Sequence, residues 1–417
     1  MYTKGEMIMK KNWLFKLLRN KDFIQFIAAL IMLVIAFVIH RWLTFDISLV
    51  VSIIVLYICT AVSRLIYNKA SSWKEDSNKL SENYDSICRR YKGEFLLSYK
   101  NKGQDRDCLF PIVTLAFRKI SDEPFDIIMN HFNATKVYEL PDEIAQRSDW
   151  LLKAHVDALK YNSRTVRLDD LKKYGNQVML TYSNATYWDL LMTNRAMDYE
   201  WEDGRKTRDV YEPGPYISPL ASSKMANHIG FNGFIDFNGH GILFTQRSGH
   251  LSVGKRTLGT SVSAKLEPSF DYKRKEFLTT DKLYQAVADA INRELKYLRI
   301  NNEKMTITKT DVEGCIFAFY RDLVEGGKPQ FLFYYRMEFE DIDNVDIQFE
   351  PSGQKKQIRK DKKDAKIDGS QYIFLTIEQL KNAKLEPHGI TLSESGEYYK
   401  MTPSAVASVV MLLEGMG

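Results

Sequence analysis

The chain has 417 residues, of which 45% are hydrophobic and 12% aromatic. That excludes a disordered composition and allows one large core or two modest ones. Its formal charge of +5 is small beside 58 basic and 53 acidic residues, so the location of charge matters more than its total. The segment Met1 to Asp22 carries a net +4 and the run "QKKQIRKDKKDAK" (Gln354 to Lys366) a net +5, which leaves about −4 for the rest. No basic face of the kind a nucleic-acid groove needs is visible. Cys59, Cys88, Cys108 and Cys315 are scattered, as are the seven histidines, so neither a disulfide framework nor a zinc site is suggested.

After the basic start come two uncharged stretches, "FIQFIAALIMLVIAFVI" (Phe23 to Ile39) and "ISLVVSIIVLYICTAV" (Ile47 to Val62). A helix rises ~1.5 Å per residue, so each covers roughly one hydrocarbon core. With only seven residues (His40 to Asp46) between them, they are expected to form an antiparallel transmembrane hairpin. Basic residues before the first and after the second place both chain ends in the cytosol. "KASSWKEDSNKLSENYDSICRRYKGE" (Lys69 to Glu94) then reads as a polar helix whose apolar stripe is Trp73, Leu80, Tyr84, Ile87 and Tyr91. The stripe packs either on the chain's own body or on other such stalks.

Between Phe95 and Leu171, "FLLSY" and "PIVTLAF" read as strands, while "PFDIIMNHF" and "SDWLLKAHVDALKYN" read as helices, the second capped by Ser148 or Asp149. Strands dominate from Leu168. "QVMLTYS" alternates apolar and polar positions. "NGFIDFNGHGILFTQRS" and "GCIFAFYRDLVEGGKPQFLFYYRME" read as hairpins turning at Asn238 to Gly241 and Gly326 to Pro329. A helix is expected from Thr280 to about Tyr297, and a last one after a Thr402 cap with Pro403 at its first position. The class is α+β, a mixed sheet between helices.

This order resembles the Nudix fold across about Ile229 to Gly417: a strand ending "QRS", a loop to "GTSVSAKLEP", the helix "AVADAINREL", the "YRD…YYRME" hairpin, "LTIEQLKNA" and "MTPSAVASVVMLL". In the family's box an Arg-Glu-apolar tripeptide is followed, one residue on, by a Glu pair. Matching on Arg293, Glu294 and Leu295 puts Thr279 and Gln285 at the leading Gly and Glu, Tyr297 and Leu298 at the Glu pair, and Ile300 at the closing Gly. The paired carboxylates of such a box bind Mg²⁺, which demands hard oxygen ligands. Neither Tyr297 nor Leu298 supplies one, so no metal and no cofactor are expected and Glu294 is a weak metal candidate on its own. An acid elsewhere, such as Glu267, Asp271 or Glu276, is the available substitute.

A two-span hairpin joined to a Nudix-like domain is similar to the transmembrane-Nudix effectors of bacterial anti-phage systems that signal with cyclic oligonucleotides. The resemblance implies a bacterial inner-membrane protein with both termini cytosolic. Its soluble domain would bind a cyclic di- or trinucleotide made by a nucleotidyltransferase, self-associate on activation, and act on membrane lipid. It divides the chain into a basic N-terminus (1–22), the hairpin (23–66), a stalk helix (67–94), an α/β intermediate region (95–170) and a Nudix-like sensor domain (171–417). Ligand contacts are expected from Phe244, Gln246 and Arg247 on one strand, Arg256 in the loop, Ser261, Ser263 and Lys265 before the helix, and Tyr320 and Arg321 on the next hairpin. Aromatic rings stack on bases and guanidinium groups fit phosphates. The competing readings are a membrane-tethered Nudix hydrolase acting on a nucleoside diphosphate derivative, and a scaffold with no nucleotide affinity.

Overall fold

The computed structural model of the chain describes residues 79–131, 137–155, 162–238, 240–246, 257–266, 278–296, 298–339, 346–349, 356–357 and 372–417. The chain divides into two units, 1–78 and 79–417, and every described residue lies in the second.

In chain order, the elements that matter for function are α1 (Tyr84–Arg90), β1 (Ile112–Phe117), β2 (Asp126–His131), α2 (Ser148–Lys153), β3 (Arg164–Tyr174), β4 (Gln177–Thr186) and α3 (Tyr187–Met192). They are followed by β5 (Gly230–Phe237), β6 (Gly241–Gln246), β7 (Leu258–Gly259), β8 (Val262–Lys265), α4 (Thr280–Glu294) and β9 (Leu298–Ile300). The last are β10 (Ile316–Asp322), β11 (Lys328–Met337), β12 (Tyr372–Leu375), α5 (Ile377–Asn382) and α6 (Pro403–Met416).

The central sheet runs β12-β6-β5-β11-β10-β1, with β8 also on β5 and β7 on β6. It is mixed, because β5 and β11 are parallel and the other pairs antiparallel. Aromatic and β-branched residues favour these pleated strands. On one face Phe231 stacks on Phe331, its register partner, with ring centroids 4.8 Å apart. Gly233 lies opposite Phe333, and a Cβ at Gly233 would come 2.0 Å from that ring, so only glycine leaves the ring room. Helix α4 covers this face with Leu283, Val287 and Ile291. Helix α6 covers the other with Val406, Val409 and Val410 against Phe234, Phe244 and Leu332. A second sheet, β2-β4-β3, packs into the α4-side core through Ile127, Val178, Leu180 and Tyr182.

The α+β class and the mixed sheet between helices agree with the sequence reading. The transmembrane part of the expected architecture does not. The hairpin at 23–66 lies outside the described residues, and among the described residues no helix is long and apolar enough to cross a membrane. The longest, α4 and α6, have 15 and 14 residues. The fold class is therefore corrected to an α+β body with mixed sheets, with no membrane-spanning helix among the described residues.

Smaller expectations also change. "PFDIIMNHF" forms strand β2 rather than a helix, pairing in parallel with β4 from Asp126 opposite Gln177 to His131 opposite Tyr182. The cap position of α2 is Arg147, without a side-chain cap bond, so neither Ser148 nor Asp149 serves. Of the stalk stripe, Leu80, Tyr84, Ile87 and Tyr91 pack into a core cluster of the body itself, with Leu96, Met197 and Trp201. Trp73 lies outside the described residues.

Strand β5 and the residues before it meet three partners in turn along one edge. Phe237 and Asp236 pair with β6, Gly233 to Gly230 pair with β8, and the residues just before β5 meet β3. The last contact runs through Ile229 N–H to the Val166 carbonyl at 2.9 Å and Leu168 N–H to the Asn227 carbonyl at 3.0 Å. At the first switch the ladder is bridged by a side chain. The Ser261 hydroxyl accepts from the Ile235 N–H at 2.8 Å and donates to the Leu243 carbonyl.

Candidate functional site

Helix α4 begins where the sequence places it, with Thr279 as cap accepting from the Lys282 N–H at 3.3 Å. It ends earlier than expected, at Glu294, with Leu295 as its C-cap. The chain then turns into β9, so Leu298, at one position of the expected Glu pair, is a strand residue and fully buried in the core. Tyr297 lies outside the described residues, as do Glu267, Asp271 and Glu276. Gln285 donates to the Asp289 carboxylate at 2.9 Å. Glu294 is exposed and pairs with its neighbour Arg293 at 3.3 Å. Among the described residues no three His, Cys, Asp or Glu side chains gather as metal ligands.

The expected ligand contacts separate into groups. Arg247 and Arg256 lie outside the described residues. Phe244 is a core residue on the α6 side, 5.6 Å from Phe234 ring to ring. Ser261 is spent on the strand switch. Gln246 ends β6 opposite Leu258. Tyr320 and Arg321 are adjacent on β10 and so point to opposite faces. Arg321 is buried and donates to the carbonyls of Gly327, at 2.8 Å, and Ser218. Burial lowers its guanidinium to about 10. Gly327, at φ 77°, allows this clasp, because a Cβ there would meet the guanidinium at 2.6 Å.

Tyr320, Ser263 and Lys265 do share a face, the one turned to α6. Ser263 is opposite Asn232, and Lys265 is opposite Gly230, in the β5–β8 register. Tyr320 is opposite Gln330, which is opposite Gly230 across the parallel pair. The residues between them are polar and buried. Asn232 Nδ2 donates to the Tyr320 hydroxyl at 2.6 Å and to Gln330 Oε1 at 3.1 Å. Gln330 Nε2 donates to Ser404 Oγ at 3.0 Å, and Tyr320 Oη lies 2.9 Å from the same oxygen. Ser404 sits in the first turn of α6. Burial pushes the Tyr320 phenol up to about 12, so it remains a neutral hydrogen-bonding group.

Charges follow at the end of this face. Lys328 opens β11 opposite Asp322, the last residue of β10. Glu325, in the connecting turn, meets Arg195 Nε at 2.6 Å and Lys328 Nζ at 3.9 Å. Burial, and then Glu325, push the Asp322 carboxyl up to about 7. Lys265 Nζ donates to Ser163 Oγ at 2.9 Å and lies 5.8 Å from the Tyr187 ring. His228, two residues before β5, is 2% exposed, and neither of its ring nitrogens has a hydrogen-bond partner. Burial and the nearby Lys328, Lys265 and Arg195 hold it well below the usual histidine range, as neutral imidazole.

Of the residues on and around this face, the sequence reading named Tyr320, Ser263 and Lys265 and did not name Lys328, Arg195 or His228. Of these, Lys328 alone carried a signal, strand parity: Lys328 and Gln330 alternate with Pro329 and Phe331, which face the other way. A small apolar cavity lined by Leu168, Leu180, Ile229 and Phe319 is water-sized and takes no nucleotide. No family model matches this chain, and no curated protein matches it.

Proposed function

We propose that the body is a non-hydrolytic binding module for a phosphate-bearing ligand of the nucleotide class, a cyclic di- or trinucleotide, and that binding promotes self-association. One observation carries the non-hydrolytic half of this reading. Leu298, where a Nudix-type box would present a carboxylate, is the buried first residue of β9. Helix α4 has already stopped at Glu294. An octahedral Mg²⁺ needs several oxygen ligands around one point, and Glu294 is instead an exposed partner of Arg293. The ligand class is supported by the resemblance of the element order to the Nudix fold and by the polar, net-cationic end of the α6 face.

The test uses the full-length chain with cyclic diadenylate, cyclic triadenylate and ADP-ribose in Mg²⁺ or Mn²⁺. Binding of a cyclic nucleotide by calorimetry without turnover is the expected result. Steady hydrolysis of ADP-ribose that disappears in Glu294→Gln would instead establish a hydrolase. Absence of affinity for any nucleotide would leave a scaffold.

A further inference from the structure

We infer that the α6 face of the central sheet contains a seat for one phosphate group, formed by His228, Thr165, Lys265 and Lys328 around Gly230. This seat, not the α4 side, takes the phosphodiester of the ligand. The identity of the ligand rests on the function proposed above; the seat itself does not.

The glycine is central. Strand β5 is flanked at Gly230 by β8 on one side and β11 on the other. Lys265 stands opposite it on β8. From the other side Lys328 reaches over it, and a Cβ at Gly230 would lie 2.8 Å from Lys328 Nζ. The Lys328 ammonium therefore lies over this stretch of backbone, with Gln330 Oε1 and the Ala264 carbonyl also near it, while the Lys265 ammonium is held at Ser163 Oγ, 2.9 Å away. Next to β8 along the same edge is β3, where Arg167 bridges to His228. Thr165, two residues earlier on the same strand face, is fully buried with an unpartnered hydroxyl.

Neutral His228 offers one N–H donor and one nitrogen acceptor, and a buried group of this kind needs polar partners. The cations around it make an anion the favoured partner. The carboxylates were weighed as well. Glu325 is committed to Arg195 and Lys328, and Asp322 faces Lys328 in register. Three cations against two carboxylates leave the locality positive. An imidazole N–H, a hydroxyl and two ammoniums form a donor set that suits a tetrahedral anion with several acceptor oxygens. Of the neighbouring residues, Ser163 and Lys265 are half-buried and Ser263 is exposed.

Titration of the full-length chain at fixed ionic strength with inorganic phosphate, and separately with cyclic diadenylate, tests this. The variants are Thr165→Val, which keeps shape, Lys265→Gln at a half-exposed site, and Gly230→Ala. Each is expected to weaken phosphate binding about tenfold. The His228 ring resonances of the parent should shift on adding phosphate. Unchanged phosphate affinity in Thr165→Val and Lys265→Gln, or a His228 signal blind to phosphate, overturns the seat. Phosphate binding that the variants weaken, with no affinity for any cyclic nucleotide, upholds the seat and removes the proposed ligand. Nucleotide binding indifferent to all three variants keeps the ligand and overturns the seat.

Discussion

The two faces of the central sheet are made from the same strands and differ in kind. The α4 face is mainly apolar: Phe231, Phe237, Phe319, Phe331 and Phe333 meet Leu283, Val287 and Ile291, and the cluster includes two hydroxyl-bearing rings, Tyr182 and Tyr284. The α6 face is dry over Phe234, Phe317 and Leu332. It then changes, within two residues along each strand, to Asn232, Tyr320 and Gln330, and next to Lys328 and Asp322. Dry packing gains free energy from area alone, whereas buried polar groups gain little and lose much when one partner is removed. The first face is thus the source of stability. The second carries the cost of recognition chemistry.

Four substitutions break or sharpen that contrast. Phe331→Ala on the dry face removes a stacked ring and leaves a cavity, and should destabilise by about 3–5 kcal/mol in urea unfolding. Tyr320→Phe on the polar side removes one hydroxyl, leaving Asn232 and Ser404 short of a partner. It should cost about 1–3 kcal/mol, far more than the loss of one oxygen would on a surface. If Tyr320→Phe proved neutral, the network would not be a closed one.

Asp322→Asn tests the charged end through pH. Because its folded pKa is raised from 3.8 to about 7, the native state keeps a proton that the unfolded chain gives up. Stability from this group is complete below 3.8 and lost as pH rises through about 7. The variant cannot ionise, so relative to the parent it should gain on the order of 1 kcal/mol between pH 5 and pH 8, read from melting curves at both. A parent and variant that track each other across that range would show that the carboxyl is not strained by burial. Smallest of all, Glu294→Gln should change stability by less than about 0.5 kcal/mol, since an exposed neighbour pair contributes little.

Much of the fold was legible. The start of α4 at Thr280, the Thr402 cap, the Gly326-Gly327 turn and the alternation of "QVMLTYS" are local signals, and local physics decides them. What escaped depends on distant partners. Ile127, Ile128 and Met129 form an apolar run that suits helix or strand equally, and its parallel pairing with β4 decides in favour of strand. The early stop of α4 has no Gly or Pro to announce it. Leu298 is drawn into the core as the first residue of β9 instead. Tyr320 and Arg321 were expected to act together, yet period-two alternation separates adjacent strand residues. His228 gave no signal because a lone histidine has meaning only once Lys265, Lys328 and Arg195 have been folded around it.

The parallel pairing at the middle of the sheet has a further consequence. Gly230 meets Gln330 and Phe237 meets Met337, a constant separation of 100 residues. The facing edges of two phenylalanine-rich strands must therefore wait unpaired while the intervening chain is made and arranged. Closure of so long a loop is slow, and in that interval both strands are templates for other chains. The sheet's centre cannot be secured until β11 has been made, and the body is expected to depend on chaperones more than its final packing would suggest.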